Sequence, residues 1–388
     1  MPQTSIDRHD FDLICFSHLR WDFVYQRPQH LMSRFAKDHR VFIFEEPVFT
    51  NEPAHLAISH RDRNLFVAVP KLQHETSAAE IPKLLRRLIN ELIAGQRIEN
   101  YLAWYYTPMM LEFSRHLDPA ATVYDCMDQL AAFKNAPPEL IEREKELLAV
   151  ADLVFTGGQS LFEAKRGSHP AVYAFPSSID VAHFAQAATV TEDPADMASI
   201  PHPRIGYIGV IDERMDLALL DQIAERKPEW QFIMIGPVVK IDESDLPRRN
   251  NIHYLGPKTY AELPNYIGRW DAAMMPFAMN DATRYISPTK TPEYLAAGRP
   301  VVSTPIRDVV RPYGEKGLVH IAATTDEFID GIQAALNEDS DLRNRKVEAF
   351  LSNMSWDSTY AEMSGLIDTV IGTQNAESAA AAKGAGHS

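Results

Sequence analysis

Short apolar runs alternate with helical patterns along most of this 388-residue chain, and they fall into two series. The first comprises Phe11–Ser17, Arg40–Phe44, Asn64–Val69, Tyr101–Tyr105, Thr122–Asp125, Leu153–Thr156 and Val172–Phe175. The second comprises Arg204–Ile208, Gln231–Ile235, His253–Leu255, Ala272–Met275, Val301–Ser303 and Leu318–Ile321. Alternation of this kind dictates parallel sheets with right-handed crossovers, an α/β architecture. The chain is too long for one ordinary core, so two domains are expected. Between the series, Ala185–Pro203 is polar, aperiodic and carries three prolines, and it reads as a linker. The predicted layout is a domain over 1–184, a linker over 185–203 and a second domain over 204–354. Two such sheets face each other across a cleft, and ligands sit at the carboxyl ends of the strands. Residues 373–388 are rich in Ala, Gly and Ser and carry too few large apolar side chains to fold, so a disordered tail is expected there.

The segment Ser287–Thr304, SPTKTPEYLAAGRPVVST, carries the chemistry. It reads as a helix with Ser287 as cap and Pro288 in its first turn, stopped at Gly298 and followed by a buried strand. Ser287, Thr289 and Lys290 crowd a helix start, where free N–H groups and partial positive charge suit a phosphate. Glu293 lies one turn on, within reach of whatever the phosphate is attached to.

Composition narrows the alternatives. The net charge is −15 and no basic-aromatic platform is visible, which excludes nucleic acid as a general partner. No apolar run reaches the roughly 18 residues of a membrane span. The opening MPQTSIDRHDFD has no signal-peptide core, so a cytoplasmic chain is expected. Cys15 and Cys126 sit in apolar strand-like runs as buried thiols. No HExxH, paired Cys-x-x-Cys or dense His/carboxylate cluster suggests a metal. Within 81–97, Lys83, Arg86, Arg87 and Arg97 oppose a single Glu91 on an amphipathic helix. Such a helix packs on a core or rests on an anionic membrane surface.

Several stretches together resemble GT-B glycosyltransferases, in particular the family 1/4-like group that includes many bacterial polysaccharide enzymes. ISPTKTPEYLAAGRPVVSTP resembles their donor-binding segment, and PRIGYIGVIDERMDLALL resembles the first strand and loop of the nucleotide-binding half. WQFIMIGP, NIHYLGPKTYAELPNYIGRWDAAMMPF, VYDCMDQLAAF and FPSSIDVAHF resemble further segments of the same enzymes. The resemblance implies two Rossmann-like domains, with a last helix over 355–372 returning to the N-terminal domain. It implies transfer of a sugar from a nucleotide-diphosphate donor, as co-substrate and without a cofactor or metal, to a saccharide or lipid-linked acceptor in surface polysaccharide synthesis. Membrane contact, if made, falls to 81–97 at the inner face of the membrane. A nucleotide-sugar epimerase of the same fold and a non-catalytic nucleotide-sugar-binding protein remain as rivals.

The candidate residues follow. Gly209 and Gly236 end two strands and permit close backbone approach. Arg214 and Lys290 are the expected partners of the diphosphate, with a surface ion pair to its acidic neighbours as the alternative for Arg214. Leu255, Gly256, Tyr260 and Leu263 border the segment that surrounds the base in the resembled enzymes. Glu293 matches the second glutamate of the family's Glu-x7-Glu pattern and takes the ribose. The first glutamate is replaced by Tyr285, leaving Asn280, Asp281 and Thr283 as alternatives for the sugar. In the N-terminal half, the loop SHLRWDFVYQRP sets His18, Arg20, Trp21, Asp22 and Arg27 before a helix, suiting a polar or phosphorylated acceptor or else an internally stapled loop. Asp125 and Asp128 end another strand, and Asp125 or His18 is the candidate general base.

Overall fold

The computed structural model describes residues 11–385; the first ten residues, part of the opening read for a signal peptide, and residues 386–388 of the tail lie outside the described residues. Nine strands form the first sheet: β1 (Asp12–Ser17), β2 (Val41–Glu45), β3 (Val48–Thr50), β4 (His55–Asp62), β5 (Leu65–Gln73), β6 (Tyr101–Tyr105), β7 (Ala121–Cys126), β8 (Leu153–Thr156) and β9 (Val172–Ala174). Their order is β3-β5-β2-β1-β6-β7-β8-β9, with β4 antiparallel on β5. Six parallel strands form the second: β10 (Arg204–Ile208), β11 (Gln231–Ile235), β12 (Ile252–Gly256), β13 (Ala272–Met275), β14 (Val301–Ser303) and β15 (His320–Ile321). Their order is β12-β11-β10-β13-β14-β15, a doubly wound sheet whose connections reverse beside β10. The buried apolar run of β1, Leu13 to Phe16, has no counterpart in β4. That strand is exposed along much of its length and pairs through its backbone. β3, only three residues long, and β4, exposed along much of its length, are absent from the sequence-based series.

The apolar faces sort as the two series require. Phe232, Met234, Trp270, Met274 and Val302 belong to one core, and both faces of the first sheet have their own. Helix Ile81–Gly95 packs Leu85, Leu88, Ile89 and Leu92 into the N-terminal core and leaves Lys83, Arg86 and Arg87 outward. Cys15 and Cys126 are buried free thiols. The last helix, Trp356–Ala385, places Trp356, Met363, Ile367 and Ile371 in the N-terminal core, where Trp356 stacks on His30 at 4.6 Å.

Three expectations change. The segment 185–203 is not a loose linker. Its Ala187, Met197 and Ile200 are buried in the C-terminal core, and its Asp193 accepts from the buried Arg204 at 2.7 Å and from Arg269 at 2.6 Å. Its polarity serves an interior cation. The tail expected to be disordered continues as helix through Ala385, because an alanine-rich run has the highest helix propensity even without large apolar groups. Finally, the helix expected from Pro288 begins at Lys290 and runs to Ala296. A start at Pro288 would place Pro292 where its ring meets the carbonyl of residue 288; starting at Lys290 keeps Pro292 in the first turn.

Candidate active site

Both sheets direct the carboxyl ends of their strands at one cleft. On the C-terminal side, Tyr294 anchors the helix Lys290–Ala296: its hydroxyl accepts from Ile208 N–H at 2.7 Å, at the end of β10. One turn earlier, Lys290 therefore lies over Gly209. A Cβ on Gly209 would meet Lys290 Cε at 2.2 Å, and its φ of +146° also disfavours a side chain. A Cβ on Gly236 would meet the Gly209 carbonyl at 1.9 Å. The two glycines thus let β10, β11 and Lys290 converge. Lys290 Nζ stands 5.5 Å from the Tyr207 ring centre and 5.9 Å from that of Phe277.

Lys290 and Glu293 share this half-buried helix face. Burial pulls the Lys290 ammonium pKa down, aided by Arg214, and pushes Glu293 up; each is tempered by the other's charge. Glu293 also accepts a hydrogen bond from Thr289. Ser287 does not cap the helix: its carbonyl accepts from the Ser177 hydroxyl at 2.5 Å, a tie to the N-terminal domain. Thr289 makes no side-chain cap either. With only two turns of helix behind them, the side chains Lys290 and Arg214 dominate the local field.

Arg214 lies in the cleft and is also paired. Its guanidinium donates to both Asp212 oxygens, at 2.7 Å for the closest, and faces Phe133 of the other domain at 5.6 Å. Lys240 flanks the same ring at 4.9 Å.

Arg214 and Lys290 line a cavity of about 100 Å³ together with Arg27, Asp128, Ser177 and Ser287. Beside it lies a chamber of about 620 Å³, bounded by Gly209, Gly236, Pro237, Tyr260 and Leu263 from one domain and by Trp21, Phe23 and Tyr25 from the other. Tyr25 stacks on Tyr260 at 4.4 Å across the domain boundary. Leu255 packs against the C-terminal core, and neither it nor Gly256 lines either cavity.

The N-terminal candidates are rearranged. Asp125, expected as a general base, is fully buried and gripped by Arg27, whose Nη2 and Nε donate to it at 2.8 to 3.1 Å. Arg27 also donates to the Phe175 carbonyl at 2.7 Å, so Asp125 serves as its counterion. His18 is pushed down to about 4 by burial and by the charge of Lys240, and its Nδ1 has no hydrogen-bond partner. A neutral imidazole results, and His18 lines neither cavity. Arg20 and Asp22 staple the loop: Arg20 donates to Glu45 at 3.0 Å, and Arg61 pairs with Asp22 at 2.6 Å. Of the sugar-side alternatives, Thr283 donates to the Ala278 carbonyl, and Asn280 donates to the Glu213 carbonyl while accepting from Thr283 N–H. Asp281 is exposed.

The sequence names Asp125 rather than Asp128, three residues later at the same strand end, as the candidate base. Asp128 borders the cavity, whereas Asp125 lies behind it. Strand alternation alone cannot separate them, because Asp128 lies past the strand. Among the described residues no cluster of three or more His, Cys, Asp or Glu side chains is placed to hold a metal ion. Among the same residues no helix is long and apolar enough to cross a membrane.

Residues 202–338 match the family described as Glycosyl transferases group 1. The “Putative teichuronic acid biosynthesis glycosyltransferase TuaH” of Bacillus subtilis is 25% identical, over 64% of this chain and 66% of that relative's length. The match therefore spans slightly under two thirds of the relative. Sucrose-phosphate synthase from Thermosynechococcus elongatus superposes with a TM-score of 0.68 at 14% identity, covering 94% of this chain and all of that one. A UDP-forming alpha,alpha-trehalose-phosphate synthase from Burkholderia xenovorans superposes at 0.67 with 13% identity, covering 93% and 99%. These likenesses show the GT-B fold, and residues 202–338 resemble the group 1 glycosyl transferases.

Proposed function

We propose that the chain transfers a sugar from a nucleotide-diphosphate donor, with UDP as the first nucleotide to try, to a saccharide or lipid-linked acceptor in bacterial surface polysaccharide synthesis. The observation that carries this reading is Lys290 seated over Gly209: Lys290 lines the smaller cavity with Arg214, and Gly209 lines the larger chamber. A diphosphate there meets two fixed cations where leaving-group charge grows in the transition state. The nucleoside then extends toward the chamber; Glu293 lines neither cavity and is assigned to the ribose from its place one turn beyond Lys290 on the same helix. The similarity to a UDP-forming synthase supports the choice of base, and the similarity to TuaH supports the polysaccharide setting. The side-chain cations replace a metal ion, so donor binding is independent of divalent cations. Work at the inner face of the membrane, through the outward basic residues of helix Ile81–Gly95, is part of the same proposal.

Titration calorimetry with UDP, GDP and their sugars, in magnesium and in chelator, tests it. The expected result is saturable binding of one diphosphate in both media, with turnover that requires an acceptor. No binding of any nucleoside diphosphate overturns the donor site. Loss of binding in chelator overturns metal independence. Conversion of the donor sugar without acceptor favours the epimerase instead.

A further inference from the structure

Where the first domain meets the cationic loops of the second, the contact is an aromatic ring. Phe133 lies on the loop that follows β7, and that loop is folded rather than slack. Leu130 N–H donates to the Asp128 carbonyl at 3.1 Å, Phe133 N–H to the Leu130 carbonyl at 3.2 Å, and Ala136 N–H to the Phe133 carbonyl at 3.1 Å. Asn135 closes the turn at φ +63°, a left-handed conformation that asparagine tolerates. The backbone on both sides of the ring is therefore fixed.

Two loops of the second domain bring cations to this ring. Arg214, after β10, stands 5.6 Å from its centre, and Lys240, after β11, stands 4.9 Å from it. Both distances fall within the reach of attraction between a cation and a ring face. The two loops are tied together: Ile211 N–H donates to the Pro237 carbonyl at 2.9 Å, and Val239 N–H to the Ile211 carbonyl at 3.1 Å. Lys240 holds φ +62°, where a side chain with a Cβ is strained, so the contact is imposed by its surroundings. Bringing two like charges to one ring is unfavourable by itself. The ring offsets part of that repulsion, and an anion in the adjoining cavity would offset more.

Arg214 shows what the ring does. Its Nε and Nη2 donate to Asp212 at 2.7 to 3.1 Å, and its Nη1 donates to nothing among the described residues. One edge of the guanidinium is held by its own loop, and Phe133 steadies the group from the other domain. Nη1 is left for a ligand in the cavity that Arg214 lines. Phe133 lines neither cavity, so whatever it does to a ligand passes through the cations.

We propose that Phe133 is a positioning residue for the donor diphosphate: it pins Arg214 across the cleft, so the phosphate-binding charge is fully assembled only when the two domains are together. This rests on the donor reading above. An arginine held at one edge keeps side-chain freedom that a phosphate must freeze on binding, and one already pinned by a ring does not. Such preorganisation favours the anion and leaves the nucleoside end of the ligand untouched. A donor bound in an open cleft then meets a looser cation, and leaving-group stabilisation is complete only once the facing wall has arrived.

The test uses calorimetry on the full chain with UDP and uridine, and with GDP and guanosine. Phe133→Leu and Phe133→Met keep apolar bulk without a ring, and Phe133→Tyr keeps the ring. In the first two, affinity for the diphosphate is expected to fall about 3- to 30-fold relative to the nucleoside, and in Phe133→Tyr to stay near wild type. In Arg214→Gln protein, adding Phe133→Leu is expected to change diphosphate affinity by less than about twofold, because the ring then has no guanidinium to pin. An equal loss for nucleoside and diphosphate would mark a merely structural loop and overturn the proposal. So would wild-type affinity without a ring, failure of tyrosine to restore it, or an undiminished Phe133→Leu effect beside Arg214→Gln. Each of these leaves the donor site standing. Failure of wild-type protein to bind either diphosphate removes the donor reading itself, and this role of Phe133 with it.

Discussion

The two walls of the cleft are built by opposite means. On the C-terminal wall, glycines at Gly209 and Gly236 clear space so that Lys290 reaches the strand ends with its charge directed into the cavity. On the N-terminal wall the charges are largely spent inside the domain: Arg27 on Asp125, Arg20 on Glu45, Arg61 on Asp22. One wall offers cations to a ligand, and the other neutralises itself until one carboxylate, Asp128, faces the cavity. The C-terminal wall is made from a local motif. The N-terminal wall is assembled from partners distant in sequence.

The sharpest way to break this comparison is Arg27→Met. It leaves Asp125 as a buried, unpaired charge, and the expected cost is about 3–5 kcal/mol, or roughly 6–20 °C in melting temperature. Arg27→Met with Asp125→Leu should recover much of that loss. A single-variant cost under about 1 kcal/mol would show that the N-terminal pair is not structural.

Next in size is Lys290→Ala, expected to weaken UDP affinity by about ten- to 150-fold through loss of a charge-assisted hydrogen bond of roughly 1.5–3 kcal/mol. Uridine affinity should stay near wild type. Gly209→Ala should reproduce the loss, because its methyl takes the space of Lys290 Cε. Wild-type affinity should fall as pH rises, and at lower pH than for an ordinary lysine, since the bound diphosphate requires the ammonium and burial has lowered its pKa. Calorimetry across pH checks the sign. Glu293→Gln should weaken UDP and uridine alike, and a loss confined to UDP would take Glu293 off the ribose.

The smallest effect concerns where the walls touch. Asp308 of the C-terminal domain caps the helix Gln159–Lys165 of the N-terminal domain, accepting from Ser160 N–H at 3.0 Å. Asp308→Asn should cost about 0.5–2 kcal/mol and favour a more open form in small-angle scattering. An unchanged scattering curve and melting temperature would show that this contact does not hold the walls together.

How much of this was legible follows the same division. The segment Ser287–Thr304 is readable because its signals are local: prolines, a glycine stop and an apolar strand. Even so, the competition between Pro288 and Pro292 displaces the helix start from where the sequence puts it. The central strands of the second series, β10, β11, β13 and β14, are readable because they are buried on both faces. In the first sheet, β3 and β4 escape because an edge ribbon pairs through its backbone without needing apolar side chains. The sequence singles out Asp125 rather than Asp128, because what engages Asp125 is Arg27, 98 residues away in the chain. Neither the residue types nor their spacing carries that information.

The closing helix has a consequence for how the molecule is made. Trp356, Met363, Ile367 and Ile371 belong to the core of the first domain, yet they follow the whole of the second in sequence. During synthesis, the first sheet waits with one apolar face incompletely covered while the second domain emerges and folds. The domain that begins the chain is thus finished last. A nascent or truncated chain ending before Trp356 carries a second domain that can be complete, beside a first domain that is sticky and unfinished. Joining distant stretches of the polypeptide in one core means that the first domain is completed only after the ribosome has passed Ile371.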